Sequence, residues 1–238
     1  MTDKIIVHGI EYLIKRTKRS SLGITIERDG MVTINTPLRA DPKAIESFVS
    51  SKTIWIRQKL AYKSQTNRER VRRDFVSGQG FLYLGRSYRL RLINNGRVVN
   101  QKGVSTSLLL HNGYFELLEQ EKERARKHFI KWYKKQTEEQ LRIRIPRYAN
   151  RIGVEVKDFR VLDLGNRWAS CGKKGTLNFS WRTVMSPIQV FDYILVHEMA
   201  HMLERGHTKN FWRTVSRVIY DYEEHKIWLQ EHGAELDI

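Results

Sequence analysis

Apolar and polar residues alternate in short runs along the first half of the chain, with the period of β-strands that bury one face. The runs are separated by turn signals such as the Asp29-Gly30 dipeptide, which favours a tight β-hairpin turn. Three hairpins are predicted in this way, over residues 24–34, 81–92 and 107–118. The first half of the chain is therefore predicted to be rich in β-strands.

Two segments show a helical pattern instead. Asp41 and Pro42 suit the N-cap and the first position of a helix that continues with an apolar stripe. A second, highly charged helix is predicted over residues 119–145. Pro146 should break or kink this helix, because proline lacks the backbone N–H and clashes with the preceding turn, and Gly153 should end the next helical turn.

The second half returns to short strands before it ends in a helix. Strands are predicted over residues 154–156, 159–164 and 176–181, and the final helix over residues 210–230. The composition shifts near Glu119, which predicts a strand-rich N-terminal domain over residues 1–118 and a second domain over residues 119–238. Helices and strands that are segregated in this way indicate an α+β fold.

A continuous apolar run over residues 190–196 leads directly into the sequence His197-Glu198-x-x-His201. A helix that is apolar nearly all round belongs in the middle of a domain. Two histidines four residues apart lie on one face of such a helix, with Glu198 about 100° further round. Two imidazoles with a carboxylate beside them are typical of a zinc ion whose bound water is activated by the carboxylate.

A third ligand is needed to complete a catalytic zinc site that keeps its fourth position open. His207 follows Gly206, a natural helix stop, so the chain could turn back and bring this histidine to the ion. Carboxylates offer an alternative: Glu204 is close in sequence, and Glu223 and Glu224 fall where other zinc peptidases place an acidic ligand.

Catalytic zinc lowers the pKa of its bound water to about 7, and Glu198 could then act as general base. Both peptide and pyrophosphate bonds could be hydrolysed by this apparatus. Phosphoryl chemistry would call for Mg²⁺ or Mn²⁺ and for cations near the phosphates. Arg167, Lys173 and Lys174 could supply these cations and bind substrate, although an ordinary turn with solvated lysines explains the two lysines equally well.

Three further residues near this loop are candidates to support the site. Asn178 is a candidate for substrate binding, and Trp168 for packing behind the site. Cys171 could be a fourth ligand, a nucleophile or a small buried residue. A fourth protein ligand would close the position that catalysis needs, and no cysteine–histidine signature supports a thiol nucleophile.

The composition is strongly basic, with 43 Lys and Arg against 26 Asp and Glu and a net charge of +17. Such a charge favours polyanionic partners, namely nucleic acid, nucleotides or acidic proteins, and also DNA-associated proteins. The alternative is a basic surface that is simply solvated. A single cysteine excludes an internal disulfide and favours a reducing compartment. Since no apolar run approaches the ~20 residues of a membrane span, we expect a cytoplasmic protein with no membrane association. The oligomeric state is not indicated.

Several ordered motifs in the second half resemble one family. The segments that carry the resemblance are Arg167-Trp168-Ala169-Ser170-Cys171, Leu177-Asn178-Phe179-Ser180-Trp181, the run from Asp192 to His201, Gly206-His207-Thr208 and Phe211-Trp212. They are similar to the motifs of the YgjP-like metallopeptidases, a zincin group near the SprT-like and WLM-type zinc proteins. The similarity covers roughly residues 70–235, with alanine at position 169 where the family has glycine.

The resemblance implies a zincin fold in the C-terminal domain, with an antiparallel sheet on the metal helix. It implies His197, His201 and His207 as ligands and Glu198 as the catalytic residue, hence a zinc-dependent metallopeptidase. Some similar proteins are described as metal-dependent UTP pyrophosphohydrolases, and some are encoded beside restriction-modification genes. Three hypotheses follow: a peptidase, a nucleotide pyrophosphohydrolase on the same site, and a basic DNA-associated module. A purely structural zinc site is disfavoured, because folding would need only the ligands and not Glu198.

Overall fold

The computed structural model describes residues 3–27, 30–66, 73–94, 106–165, 167–172 and 175–238, with the backbone alone for residues 61–66. The chain forms two compact units, residues 1–70 with 230–235 and residues 71–229 with 236–238. The main division therefore lies near residue 70 and not at the predicted residue 118. The reason is that the strands between residues 80 and 118 share one apolar core with the helix that follows them, whereas the earlier strands have a core of their own.

The first unit is a four-stranded sheet with one long helix. Its strands have the spatial order β1-β2-β4-β3 and its helix is α1. Their bounds are β1 Asp3–Val7, β2 Ile10–Thr17, β3 Gly23–Ile26, β4 Val32–Pro37 and α1 Pro42–Thr66. Strands β2 and β4 pair in parallel, whereas the other neighbours are antiparallel. The buried apolar side chains that hold this unit together are Tyr12, Val32, Ile34, Ile45, Val49 and Ile56.

Local signals in this unit were interpreted correctly from the sequence. Strands β3 and β4 form the predicted hairpin, with Ile24 opposite Ile34. Gly30 has a φ of +86°, which glycine adopts without strain, while Asp29 lies outside the described residues. Helix α1 begins at Pro42, and the Asp41 carboxylate accepts a hydrogen bond from the Lys43 backbone N–H at 3.2 Å, as expected of an N-cap.

The second unit begins with a four-stranded sheet that is built from two hairpins. Its strands are β5 Gly80–Tyr83, β6 Arg86–Ile93, β7 Leu108–His111 and β8 Tyr114–Leu118, in the order β5-β6-β8-β7. Both predicted hairpins are confirmed, and the central pair β6 and β8 is parallel. Phenylalanine side chains of this sheet stack on Phe129 of the next helix, with 4.2 Å between the ring centroids of Phe81 and Phe129.

Helix α2, Ala125–Ile152, follows a 3-10 turn over Glu119–Arg124. Of the break or kink predicted at Pro146, the break is wrong, because the helix continues through this residue. Pro146 and Arg142, whose carbonyl would have faced the missing N–H, are both exposed, so water can satisfy that carbonyl. Gly153 ends the helix in the left-handed conformation, as predicted.

A three-stranded sheet and the apolar helix complete the frame of the second unit. The sheet has the order β10-β11-β9, with β9 Phe159–Leu162, β10 Ala169–Cys171 and β11 Leu177–Ser180, and helix α3 spans Ile188–Ala200. Strands β9 and β11 are confirmed, whereas β10 was not predicted. The strand predicted over residues 154–156 is absent, because the Val154 N–H instead caps helix α2 by donating to the Ala149 carbonyl at 3.0 Å.

The single final helix predicted over residues 210–230 is wrong. Two helices occupy this region, α4 Lys209–Val218 and α5 Tyr222–His232. Ile219 is extended (φ −131°, ψ 95°) and buried at the end of α4. No glycine or proline marks this break, which is set by burial of the isoleucine side chain against the core.

Helices and largely separate small sheets make this an α+β protein, as predicted from the sequence. No helix in the described ranges is long and apolar enough to cross a membrane.

One hairpin turn is packed against the entrance to helix α3. Leu84 and Gly85 donate backbone hydrogen bonds to the Val184 and Met185 carbonyls, at 2.8 and 3.1 Å. A Cβ atom on Gly85 would lie 2.9 Å from the Pro187 Cα, and the residue has a φ of +78°. The turn thus fixes where α3 begins, and it leaves no room for a side chain.

We expect Gly85→Ala to lower the free energy of unfolding by about 2–3 kcal/mol. An alanine in the left-handed backbone conformation costs about 1 kcal/mol, and the overpacking of its Cβ against Pro187 adds a further cost. Gly113→Ala is the matched control, since Gly113 has a φ of +80° in an equivalent hairpin but nothing within 4 Å of its added Cβ. This control should lose only about 1 kcal/mol. Urea unfolding of both variants measures the difference, and equal losses would show that the Pro187 contact is unimportant.

Candidate metal centre and active site

Three histidines converge at the C-terminal end of helix α3. His197 lies in its last turn, His201 is its C-cap, and His207 lies just before helix α4. Their ring centroids are 4.8–5.0 Å apart, and one ligand atom from each lies within 4.8 Å of the others. The Nε2 atoms of His197 and His207 approach to 3.1 Å. Among the described residues this is the only group of three or more with such a geometry.

Hydrogen bonds orient two of these rings. The Nδ1 atom of His201 is 3.1 Å from the Glu204 carbonyl oxygen, which can only accept, so Nδ1 carries the proton and Nε2 is free to ligate. The Tyr193 hydroxyl lies 3.5 Å from Nδ1 of His197. Such partners fix the tautomer and the direction of a ligating histidine.

Aromatic side chains from helix α4 hold the site from one side. The Phe211 ring lies 4.5 Å from that of His201, and the Trp212 ring stacks on that of His207 at 5.6 Å with an interplanar angle of 21°. Helix α4 begins at once after His207 because the Thr208 hydroxyl caps it, accepting from the Phe211 N–H at 3.3 Å. Because of this cap, His207 lies directly before the helical turn that carries Phe211 and Trp212.

The donor set fits a divalent cation of the zinc type. Burial lowers the pKa of His197 to about 3, helped by His201, His207 and Lys226. His207 is exposed as a residue, but partial burial of its ring also lowers its pKa. His197 and His207 are therefore neutral, which is the form that binds a metal ion. Three imidazoles that no fourth protein donor joins among the described residues match the ligand set of an open catalytic site.

Glu198 lies beside this cluster and is only 8% exposed. Burial raises the pKa of its carboxyl group to about 7, against the opposing effects of a hydrogen bond from the Cys171 backbone N–H and of the Arg167 charge. Strand β10 thus contributes a backbone donor that holds the carboxylate. A carboxyl group with a pKa near 7 suits proton transfer at neutral pH.

A cavity of about 500 Å³ opens between helix α3 and strand β10. This volume is within the usual range of ligand pockets. The lining residues are Arg167, Ala169, Ser170, Cys171, Gly172, Gly175, His197, Glu198, His201, Met202, Arg205 and His207. The three histidines and the buried carboxylate therefore face a space that a substrate could enter.

The family model for the YgjP-like metallopeptidase domain matches residues 20–232 of this chain. The chain belongs to this family. It is accordingly a metal-dependent hydrolase, as the sequence motifs led us to expect. The zincin arrangement within the second unit stays a prediction.

No curated protein sequence matches this YgjP-like chain. Among solved structures, it is similar to the metallopeptidase zymogen of Pyrococcus abyssi abylysin, with 24% sequence identity and a TM-score of 0.34. That similarity covers 40% of this chain and 93% of the other.

The predicted substrate-binding residues lie at different places relative to the cavity. Arg167 lines it, whereas Asn178 does not and instead donates to the Ser170 hydroxyl at 3.4 Å. Asn178 thus contacts Ser170, which does line the cavity. Lys173 and Lys174 lie outside the described residues. Trp168 packs against the core, and its carbonyl accepts from the Ser180 N–H at 2.7 Å.

The side chains considered as alternative ligands do not belong to the histidine cluster. Glu204 contributes its backbone carbonyl to His201, and Glu223 and Glu224 are exposed on helix α5, where Glu223 accepts from the Tyr222 hydroxyl. Cys171 lines the cavity but does not join the cluster, and it is half-buried. Burial and the Glu198 charge raise the pKa of its thiol, which opposes a role as a thiolate ligand or nucleophile.

Two contributors to the site were missed in the sequence. Arg205 lines the cavity from the turn between His201 and His207, and the Cys171 backbone N–H holds Glu198. Arg205 could have been found from its position two residues before the third histidine. The Cys171 N–H could not have been found, because every residue except proline has a backbone N–H.

Proposed function

We propose that this YgjP-like chain is a zinc-dependent peptidase in which His197, His201 and His207 hold the ion and Glu198 is the general base. The observation that carries the proposal is the convergence of three imidazoles beside a buried carboxylate on the wall of an open cavity. A bound zinc ion would supply Lewis-acid chemistry, lowering the pKa of a coordinated water and polarising a scissile carbonyl.

Glu198 supplies the proton transfers in this proposal. Its carboxylate accepts a proton from the attacking water as the new carbon–oxygen bond forms at the peptide carbonyl. The same proton then passes to the leaving nitrogen as the carbon–nitrogen bond breaks. The Cys171 N–H keeps the carboxylate directed into the cavity during both transfers.

The test is cleavage of an unfolded protein, such as reduced and alkylated lysozyme, by the purified full-length chain loaded with zinc. Mass spectrometry should detect new internal termini. Cleavage should disappear with a chelator and return when zinc is added back. A zinc-loaded chain that leaves the unfolded protein intact under all conditions would contradict the proposal.

A nucleoside-triphosphate pyrophosphohydrolase is the second candidate for the same site. Two guanidinium groups, those of Arg167 and Arg205, line the cavity and would suit phosphate oxygens. Release of pyrophosphate from UTP with zinc, magnesium or manganese would favour this candidate over the peptidase. A role as a DNA-associated module rests on the net charge alone, and it predicts salt-dependent DNA binding that does not need Glu198.

A further inference from the structure

The charged lining of the cavity is strongly unbalanced. Arg167 approaches from the loop before β10, and Arg205 from the turn between the second and third histidines. Both arginines are exposed residues. Glu198 is the only carboxylate among the described lining residues, and it is 92% buried. A substrate that enters the cavity therefore meets two guanidinium groups before it reaches the acidic group.

The two positive charges act on opposite walls of the cavity. Arg167 acts electrostatically on the Glu198 carboxyl group, which belongs to helix α3. Arg205 acts on the Cys171 thiol, which belongs to strand β10. Each guanidinium thus comes from one wall and acts on a group of the other wall, so both charges bear on the space between the walls.

A third cation, Lys226 on helix α5, adds to the positive potential around the histidines. Lys226 acts electrostatically on both His197 and His207, and its ammonium group lies 5.1 Å from the centre of the Trp212 ring. Cavities lined by one sign of charge concentrate ligands of the opposite sign. The surroundings of the histidines therefore favour a substrate that carries negative charge.

We propose, resting on the peptidase function above, that Arg167 and Arg205 select peptide segments with an aspartate or glutamate close to the scissile bond. A planar guanidinium binds a carboxylate through two parallel hydrogen bonds, so the contact is directional as well as electrostatic. Both arginines line the same cavity of about 500 Å³ as the histidines, and an extended residue spans about 3.5 Å, so the acidic side chain lies within about two residues of the bond that is cut.

This selection differs from the general attraction of a basic protein for anions. The net charge of +17 would enrich any acidic polypeptide near the surface, irrespective of where its acidic residues lie. Two guanidinium groups in the cavity act instead at particular positions of the bound segment. A lysine at those positions would be repelled, and an asparagine would forgo the charge-assisted hydrogen bonds.

The experiment compares matched peptides on the zinc-loaded full-length chain. A decapeptide mixture with one randomised position at a time, read by mass spectrometry, first locates the cleaved bond and the preferred positions. Fluorogenic peptides that differ only by Asp, Asn or Lys at the preferred position then give kcat and KM separately. The same peptides are measured on R167Q, R205Q and the control R213Q, which changes an exposed arginine on helix α4 outside the cavity.

We expect kcat/KM to be about tenfold higher for the Asp peptide than for the Asn peptide, and lower still for the Lys peptide. R167Q and R205Q should each raise KM for the Asp peptide several-fold more than for the Asn peptide, while any change in kcat through Glu198 is shared by all three peptides and R213Q behaves like the wild type. Equal cleavage of all three peptides, or an equal loss on all three in R167Q and R205Q, would overturn the proposed selectivity while leaving the peptidase function intact. Failure to cleave any peptide would instead refute the peptidase function itself.

Discussion

Glu198→Gln is expected to lower kcat/KM for peptide hydrolysis by about 10³-fold while zinc content and thermal stability stay close to those of the wild type. Glutamine has nearly the shape of glutamate and keeps an oxygen that can accept the Cys171 N–H. It cannot take a proton from water at neutral pH, so the proton transfers lose their acceptor. The ligand cluster is unaltered, and zinc binding should therefore persist.

Glu223→Gln is the matched control, because it makes the same chemical change at an exposed position on helix α5. It should retain wild-type activity. Steady-state kinetics, zinc analysis and a melting curve on both variants separate loss of the base from loss of the metal or of the fold. If Glu198→Gln kept a tenth of the activity or more, another group would have to be the base.

His207→Ala is the second change for which we expect a large effect, namely a loss of zinc affinity of more than a hundredfold. Changes to groups that only orient a ligand already cost about 10–100-fold, and removal of a ligand should cost more. Since His207 is exposed, the metal-free variant should unfold at a temperature close to that of the metal-free wild type. Competition with a chromophoric chelator measures the affinity.

The control for His207→Ala is His111→Ala, which removes an exposed histidine on strand β7. Its zinc affinity should equal that of the wild type. Unchanged affinity in His207→Ala would mean that a carboxylate completes the ligand set. The same titration on Glu204→Ala, Glu223→Ala and Glu224→Ala would then identify which one.

The histidine cluster could be predicted from the sequence because its geometry is mostly local. His197 and His201 must share a face of any helix that contains them, and Gly206 indicates a turn before the third histidine. The hairpins at Gly85 and Gly113 were predictable for the same reason, since glycine at a two-residue turn encodes the backbone conformation directly.

The errors arose where tertiary contacts decide the outcome. Pro146 continues a helix because exposure lets water replace a hydrogen bond, and Ile219 ends one because its side chain is buried. Strand β10 is three residues long and, among the described strands, pairs only with β11, so its short run of small residues resembles a loop. The boundary between the two units was misplaced because the composition shifts where helix α2 begins, although the core continues across that point.

The three histidines fall within one stretch from residue 197 to residue 207. Bringing together groups so close in sequence costs little loop-closure entropy, so even the unfolded chain should retain some affinity for zinc. Any such affinity reduces the stabilisation that zinc gives to the native state. Strand β10 precedes this stretch in the chain, so the segment that anchors Glu198 is made first during synthesis. We therefore expect that a nascent chain can capture its ion before the last helices have formed, so that metallation does not have to wait for folding.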